Sequence, residues 1–265
     1  WNTASFLSLY GRIAQFDPTD PGIPVVSERC SLDRWAVSTS NELIAKVHAA
    51  LDDFDTQLAG RLLSTFIDDL SNWYVRRSRR RFWDGDLAAL ATLHSCLRSV
   101  TLLMAPFTPF ITERVWSDLF ATGEGEPESV HLASWPQADL SVVDAQLTTN
   151  VALIRRLVEL GRAARAESKV KTRQPLRRAL VAAPGWPALP GDLLSEITDE
   201  LNVISAVALD SSDSDLVEVS VKANFRELGK RFGKQTPAVA KEVAQAPAAD
   251  LVAAIRDTGL FQLAV

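Results

Sequence analysis

Apolar side chains recur at steps of three and four residues over most of the first half of the chain, the spacing of one face of an α-helix. These steps predict an amphipathic helix over residues 1–16, a helix capped by Ser31, and a long helix through residues 58–73. After a turn at residues 84–86, a narrow apolar seam over residues 90–104 requires a partner helix. Helices with such seams are typical of an antiparallel bundle.

The second half of the chain mixes helical and strand patterns. A long helix begins near Asp144, and Pro175 ends the helical pattern and starts an extended run over residues 176–182. The other elements predicted in this half are a helix at 193–197, strands at 203–209 and 216–221, and helices at 236–246 and 248–257.

A domain boundary is predicted where Gly, Glu, Pro and Ser dominate, between residues 123 and 143. We therefore expect a mainly α protein with two parts. Residues 1–140 form an antiparallel helix bundle, and residues 141–265 form a small α/β module.

The net charge of −5 over 265 residues argues by itself against a nucleic-acid-binding protein. The basic residues are concentrated, however: of 28 Lys and Arg residues, residues 76–81 hold five and residues 155–178 hold nine. Because local patches set the potential that a ligand meets, these two stretches become the candidate anion-binding sites.

The two cysteines, Cys30 and Cys96, lie far apart and have no Cys or His at metal-ligand spacing. We therefore expect free thiols in a reducing compartment, no zinc site and a cytoplasmic location. The sequence has no continuous apolar run of about 18 residues, so we expect no membrane span. The first residue is Trp1, inside a helical pattern, so we expect a piece of a longer protein.

The first basic stretch places arginines between two aromatic pairs, at the end of the predicted long helix. A guanidinium group donates two parallel hydrogen bonds to phosphate and also stacks on bases, so this cluster indicates RNA binding. The candidate RNA-binding residues here are Arg76, Arg77, Arg79, Arg80 and Arg81.

Two alternatives remain open for this stretch. The aromatic residues Trp73, Tyr74, Phe82 and Trp83 either stack on bases or belong to the core, and we favour packing for Trp73 and Trp83. The arginines either contact phosphates or form ion pairs with nearby acidic residues, which are Asp52, Asp53, Asp55, Asp68 and Asp69.

The second basic stretch ends in a loop at a predicted helix-to-strand junction, where basic side chains can hold phosphate groups. The alternative is a solvated surface with no ligand. The candidate RNA-binding residues of this loop are Lys169, Lys171, Arg173 and Gln174.

Several runs resemble one family. Residues 72–83, Asn-Trp-Tyr-Val-Arg-Arg-Ser-Arg-Arg-Arg-Phe-Trp, resemble a signature of isoleucyl-tRNA synthetases, in the helical anticodon-binding domain of class I synthetases. Residues 169–176, Lys-Val-Lys-Thr-Arg-Gln-Pro-Leu, and residues 222–234 resemble the same family. Residues 105–116 resemble a run shared by the synthetases for isoleucine, valine and leucine.

The resemblance implies an ATP-dependent ligase that activates isoleucine as an adenylate and transfers it to tRNA. The class I signatures His-x-Gly-His and Lys-Met-Ser-Lys-Ser do not occur in this sequence. We therefore expect a non-catalytic tRNA-binding region without a catalytic residue or metal ligand, whereas ATP and Mg²⁺ act in a catalytic domain outside it. The expected partners are the tRNA for isoleucine and the catalytic and editing domains of the same full-length chain, and the chain is expected to be a monomer.

Two other interpretations compete with this one. The same region of a valyl or leucyl synthetase is the nearest, although residues 72–77 and residues 171–176 favour isoleucine. A helical protein-interaction scaffold with a basic face is the alternative from another class. Binding of unmodified tRNA transcripts with exchanged anticodons distinguishes them.

Overall fold

The computed structural model describes residues 1–121, 125–209 and 222–246. These residues are mainly helical, with one small parallel sheet, so the predicted fold class is confirmed. In chain order the helices and strands are α1 (Asn2–Ala14), α2 (Ser31–Asp52), α3 (Thr56–Asp69), α4 (Arg79–Trp83), α5 (Leu87–Met104), α6 (Pro109–Leu119), α7 (Ala145–Glu167), β1 (Leu176–Val181), α8 (Gly191–Leu201), β2 (Val203–Ala208), α9 (Phe225–Phe232) and α10 (Thr236–Gln245).

The core of the bundle is built around α5, which packs against α1, α2, α3 and α6. Its predicted seam is buried: Leu90 and Leu93 are fully inaccessible to solvent, and Leu97 and Val100 are nearly so. Each such side chain contributes about 1.5–3 kcal/mol relative to an exposed one. Among the described residues, α5 alone is long and apolar enough to cross a membrane, but 56% of it is buried inside the protein. Burial of this kind is typical of a core helix.

Helix starts follow the expected capping chemistry at two predicted positions. The Asp86 side chain accepts a hydrogen bond from the backbone N–H of Ala89 (3.1 Å), and Asp144 accepts one from Leu147 (2.8 Å). The prediction that Ser31 caps α2 was wrong. Ser31 is the first residue of that helix, and its N–H and hydroxyl group donate to the carboxylate of Asp192 on α8, at 2.8 and 2.9 Å.

The predicted long helix through residues 58–73 is interrupted. After α3 the chain adopts a π-helical turn over Leu70–Val75, and α4 begins at Arg79 after Ser78. A π turn adds a residue per turn and rotates the side chains that follow it. Arginines that a straight rod would place on one face consequently point in different directions.

The α/β part is a compact β-α-β unit. Strands β1 and β2 are parallel, with Leu176 opposite Val203 and Val181 opposite Ala208, and α8 connects them. Asn202, with φ of 48°, ends α8 in the left-handed conformation. Strands over residues 176–182 and 203–209 were both predicted.

Helix α7 packs against both α2 and α8 and thereby connects the bundle with the β-α-β unit. The contact with α8 is close at Gly161, where an added Cβ would lie 2.5 Å from a Leu201 methyl group. The chain divides into two compact units, residues 1–208 and 209–265. The predicted domain boundary near residue 140 stays a prediction. The predicted strand at 216–221 and helix at 248–257 lie outside the described residues.

Candidate nucleic-acid interface

The aromatic residues of the arginine stretch divide between core and surface. Tyr74 and Phe82 are buried, and the Tyr74 hydroxyl group donates to Asp33 Oδ1 at 2.8 Å. Burial and the neighbouring Asp33 carboxylate raise the pKa of Tyr74 well above its usual value. Trp73 is half-buried beneath the Arg155 guanidinium, which lies 5.6 Å from its ring centroid. Trp83 is 76% exposed, so the expectation that it packs was wrong.

Arg81 is held by two carboxylates. Its Nη1 and Nη2 donate to the two oxygens of Asp33 at 2.7 and 2.6 Å, and its Nε donates to Asp86 at 2.8 Å. Asp33 is fully buried. Burial alone would lower the pKa of Arg81, but the hydrogen bonds that it donates to Asp33 and Asp86 raise the pKa overall. The guanidinium N–H groups of Arg81 therefore donate to carboxylates of the same chain.

Arg76 and Arg77 point toward α8. Arg77 donates to Glu200 at 2.6 Å and also pairs with Glu196 and Asp199, and only 13% of its side chain is exposed. Arg76 pairs with the same Glu200 at 3.2 Å but keeps 54% of its side chain exposed. Glu200 is nearly buried and accepts a further ion pair from Arg162 of α7. This group connects the π turn, α7 and α8.

The remaining two arginines are free of such pairs. Arg79 and Arg80 are exposed, and neither forms an ion pair with any described residue. Arg79 and Trp83 stand at positions i and i+4 of α4, so their side chains are neighbours on one helix face. We call Arg79, Arg80 and Trp83 the α4 surface.

The prediction of one cluster of five arginines therefore needs correction. Arg77 and Arg81 are neutralised by carboxylates, Arg76 is partly so, and only Arg79 and Arg80 face solvent without such a partner among the described residues. The acidic partners were also predicted wrongly. They are Asp33 of α2, Asp86, and Glu196, Asp199 and Glu200 of α8, rather than Asp52, Asp53, Asp55, Asp68 or Asp69.

The second predicted site is a tight loop between α7 and β1, residues 168–175, which we call the basic loop. Its side chains Lys169, Lys171, Arg173 and Gln174 are all exposed, and none of them forms a hydrogen bond or ion pair with a described residue. Lys169 adopts a left-handed conformation with φ of 57°. The loop is therefore a turn whose charged groups lie in solvent.

The end of α8 joins this loop to the arginine group. Glu200 accepts ion pairs from Arg76 and Arg77, and two residues later the Asn202 side chain donates to Thr172 O at 3.1 Å. Leu176 N–H donates to Asn202 O at 3.1 Å. The two predicted basic stretches therefore meet around one helix end.

Sequence reasoning missed two residues that organise this region. Glu200 offers no local signal, because its partners Arg76 and Arg77 are more than 100 positions away and Arg162 is on another helix, α7. Arg165 does offer one, since it occupies a position of the apolar stripe of α7, next to Val158 and Gly161. A charged residue on a buried stripe requires a buried partner.

Comparison with known proteins identifies the class. Residues 33–180 match the family model of the anticodon-binding domain of tRNA ligase. These residues include the bundle from α2 onward, the α4 surface, α7 and the basic loop. The match and the helical fold define the class as a helical anticodon-binding domain.

Related chains agree with this class. The chain is 58% identical to isoleucine–tRNA ligase of Streptomyces avermitilis over 97% of its own length and 24% of the relative. It is 53% identical to the Thermobifida fusca enzyme of the same name over 97% of the chain and 25% of that relative. With the Thermus thermophilus isoleucine–tRNA ligase the identity is 40% over 90% of the chain and 24% of the relative.

The chain belongs to the family of anticodon-binding domains of tRNA ligases. Its resemblance to isoleucyl-tRNA synthetases is confirmed over almost its whole length. The chain spans about a quarter of the length of these relatives, 24% for the first of them.

Proposed function

We propose that this chain is the tRNA-binding region of an isoleucine–tRNA ligase, the enzyme that attaches isoleucine to its tRNA using ATP. The observation that carries the proposal is the 58% identity to a protein of that name over 97% of the chain. The geometry adds two surfaces on which basic side chains stand free in an otherwise acidic protein.

The α4 surface supplies groups for both parts of a nucleotide. Arg79 and Arg80 are free to donate to phosphate oxygens, which position an RNA without reading its sequence. Trp83, 76% exposed, offers an indole face for an unstacked base of an RNA loop. Base stacking of this kind contributes about 1–3 kcal/mol per base.

The basic loop supplies a second set of phosphate ligands. Lys169, Lys171 and Arg173 carry three positive charges and form no ion pair with a described residue, and Gln174 adds an amide donor. An exposed cluster of like charges is stabilised when an anion binds. A folded RNA contacts both surfaces with its backbone.

Arg76, Arg77 and Arg81 have a different role in this proposal. Arg77 and Arg81 hold the π turn and α4 against α8 and α2, so they position the α4 surface and do not bind RNA themselves. Arg76 is half-exposed and contacts both Glu200 and solvent, so it can pair with a phosphate at the edge of the surface.

The chemistry of aminoacylation is assigned to the part of the enzyme outside this chain. ATP and Mg²⁺ act in that catalytic domain, and the present chain contributes no catalytic residue. Its partners are the tRNA for isoleucine and the catalytic and editing domains of the full-length protein, in a monomeric cytoplasmic enzyme.

Titration of the chain with unmodified tRNA transcripts tests this proposal. The isoleucine transcript is compared with the same transcript carrying a valine or leucine anticodon. Tightest binding of the isoleucine anticodon supports the proposal, and preference for another anticodon assigns the chain to a valyl or leucyl enzyme. Absence of RNA binding overturns the proposal and favours a protein-interaction scaffold.

A further inference from the structure

Arg165 is a buried arginine that lies directly beneath the basic loop. It belongs to α7, three residues before the loop begins, and is only 6% exposed. Its Nη2 donates to the backbone carbonyl oxygens of Lys171 (2.6 Å), Thr172 (3.4 Å) and Gln174. One guanidinium nitrogen therefore donates to three backbone carbonyl groups within residues 171–174.

These hydrogen bonds determine the direction of the loop side chains. Carbonyl groups that point inward to Arg165 leave the side chains of Lys171 and Gln174 outside, where both are exposed. The entry to the loop is fixed by Val170 N–H, which donates to Arg165 O at 2.8 Å. The end of the loop is fixed by Asn202, whose side chain donates to Thr172 O and whose carbonyl oxygen accepts from Leu176 N–H.

The charge of Arg165 has no acidic partner within the described part of the chain. Its Nε and Nη1 are buried and have no hydrogen-bond partner there. Burying a cation without a counter-charge is costly, because the carbonyl dipoles only partly replace water. The buried charge also adds to the positive potential of Lys169, Lys171 and Arg173 above it.

We propose that Arg165 is a positioning residue for RNA binding. It fixes the basic loop in one conformation with the lysine and arginine side chains outward, and its uncompensated charge makes the loop favour a phosphate group of the tRNA backbone. This inference rests on the proposed function, since it needs the loop to contact tRNA. Arg165 itself is buried and touches no RNA.

The conservative variant Arg165→Lys is the primary test. Lysine keeps the charge but replaces the planar fork with a single ammonium group on a flexible stem, so it cannot hold three carbonyl groups in the same geometry. We expect isoleucine tRNA transcript to bind about fivefold to tenfold more weakly, as for other residues that act through contacting neighbours. The control is Arg156→Lys on the same helix, whose side chain is 62% exposed and pairs with Glu159. It should bind as the parent chain does.

The same substitution in a chain without the basic loop side chains distinguishes loss of loop positioning from a general loss of structure. In a chain with Lys169→Ala, Lys171→Ala and Arg173→Ala, the loop has no charges left to position, so adding Arg165→Lys should change binding less than twofold. An equal loss in both backgrounds overturns the proposal, because Arg165 would then act elsewhere. An unchanged affinity in the parent background overturns it as well.

Limited trypsin digestion gives a measurement that needs no RNA. Cleavage after Lys169, Lys171 and Arg173 should be several times faster in Arg165→Lys than in Arg156→Lys at equal melting temperature, because the loop opens. Equal cleavage rates contradict the positioning role even if tRNA binding falls. If the parent chain binds no tRNA, the proposed function fails, while faster cleavage still shows that Arg165 orders the loop.

Discussion

Arg81 donates to both carboxylate oxygens of Asp33, at 2.7 and 2.6 Å, although Asp33 lies 48 positions earlier and is fully buried. The same carboxylate accepts the Tyr74 hydroxyl group at 2.8 Å. One acidic side chain of α2 thus contacts the π turn through Tyr74 and α4 through Arg81. Arg81, a candidate RNA ligand from its sequence pattern, forms ion pairs with Asp33 and Asp86 within the fold.

Replacing Asp33 with Asn should destabilise the protein strongly. The change leaves Arg81 without its buried charge partner, a loss of about 3 kcal/mol in the free energy of unfolding for a buried pair. Chemical denaturation measures it. The control is Asp118→Asn, which breaks an exposed pair with Arg114 and should cost less than about 1 kcal/mol. Equal effects of the two variants would show that the Asp33 pair is not structural.

Replacing Glu200 with Gln should loosen the contact between α8 and the π turn. Arg76, Arg77 and Arg162 would then repel one another around a neutral side chain, since Glu200 is their shared partner and is almost buried. We expect a loss of about 2–4 kcal/mol in stability. Thermal melting measures the change.

The control for Glu200 is Glu159→Gln, whose side chain is 70% exposed in its pair with Arg156. It should change stability by less than about 1 kcal/mol. A melting temperature of Glu200→Gln equal to that of the control would mean that the arginines do not depend on this carboxylate.

Replacing Gly161 and Gly60 with Ala should change the free energy of unfolding in opposite directions. At Gly161 the added Cβ would lie 2.5 Å from Leu201, so α7 and α8 must move apart at a cost of about 1–3 kcal/mol. At Gly60 in α3 an added Cβ meets no atom within 4 Å, and the change should stabilise by about 0.5–1 kcal/mol. Unfolding by urea compares them. Stabilisation by both would contradict the close α7–α8 contact.

His94 predicts a pH dependence on the acidic side of neutrality. Burial, and then repulsion from Arg98, lowers the pKa of His94 from 6.5 to about 4. Because the pKa of His94 is lower in the folded state, its neutral form contributes fully to stability above pH 6.5. This contribution falls as the pH drops from 6.5 toward 4. The slope is at most about 1.4 kcal/mol per pH unit.

The variant His94→Phe should remove this slope, since its ring can pack between Phe16 and Phe120 as the imidazole does. The measurement is the difference in unfolding free energy between parent and variant from pH 7 to pH 4. A constant difference over that range would contradict a lowered pKa.

Local chemistry made much of the fold predictable. The apolar seam of α5, its cap at Asp86 and the strand after Pro175 each follow from a few neighbouring residues. Ser31 shows the limit of this reasoning. Serine often caps a helix. The Ser31 hydroxyl group instead donates a hydrogen bond to Asp192 of α8, 161 positions away.

The candidate site was predictable in composition and not in geometry. Sequence identifies which residues are basic, and it finds the basic loop because Pro175 marks the start of the strand that follows it. It does not reveal that the π turn at Leu70–Val75 rotates the arginines apart, or that α2 and α8 bring carboxylates to three of them, Arg76, Arg77 and Arg81.

The central claim is that the unpaired basic side chains bind tRNA while the paired ones hold the fold. The most direct test is the salt dependence of isoleucine-transcript binding for the parent chain and for the double variant Arg79→Ala, Arg80→Ala, with Arg114→Ala as the control. The logarithm of the affinity should fall with the logarithm of salt concentration by about 0.9 per phosphate contacted, and the double variant should lower that slope by about 1 to 2 without changing the melting temperature. A slope unchanged by the double variant, or lowered equally by Arg114→Ala, would contradict the claim.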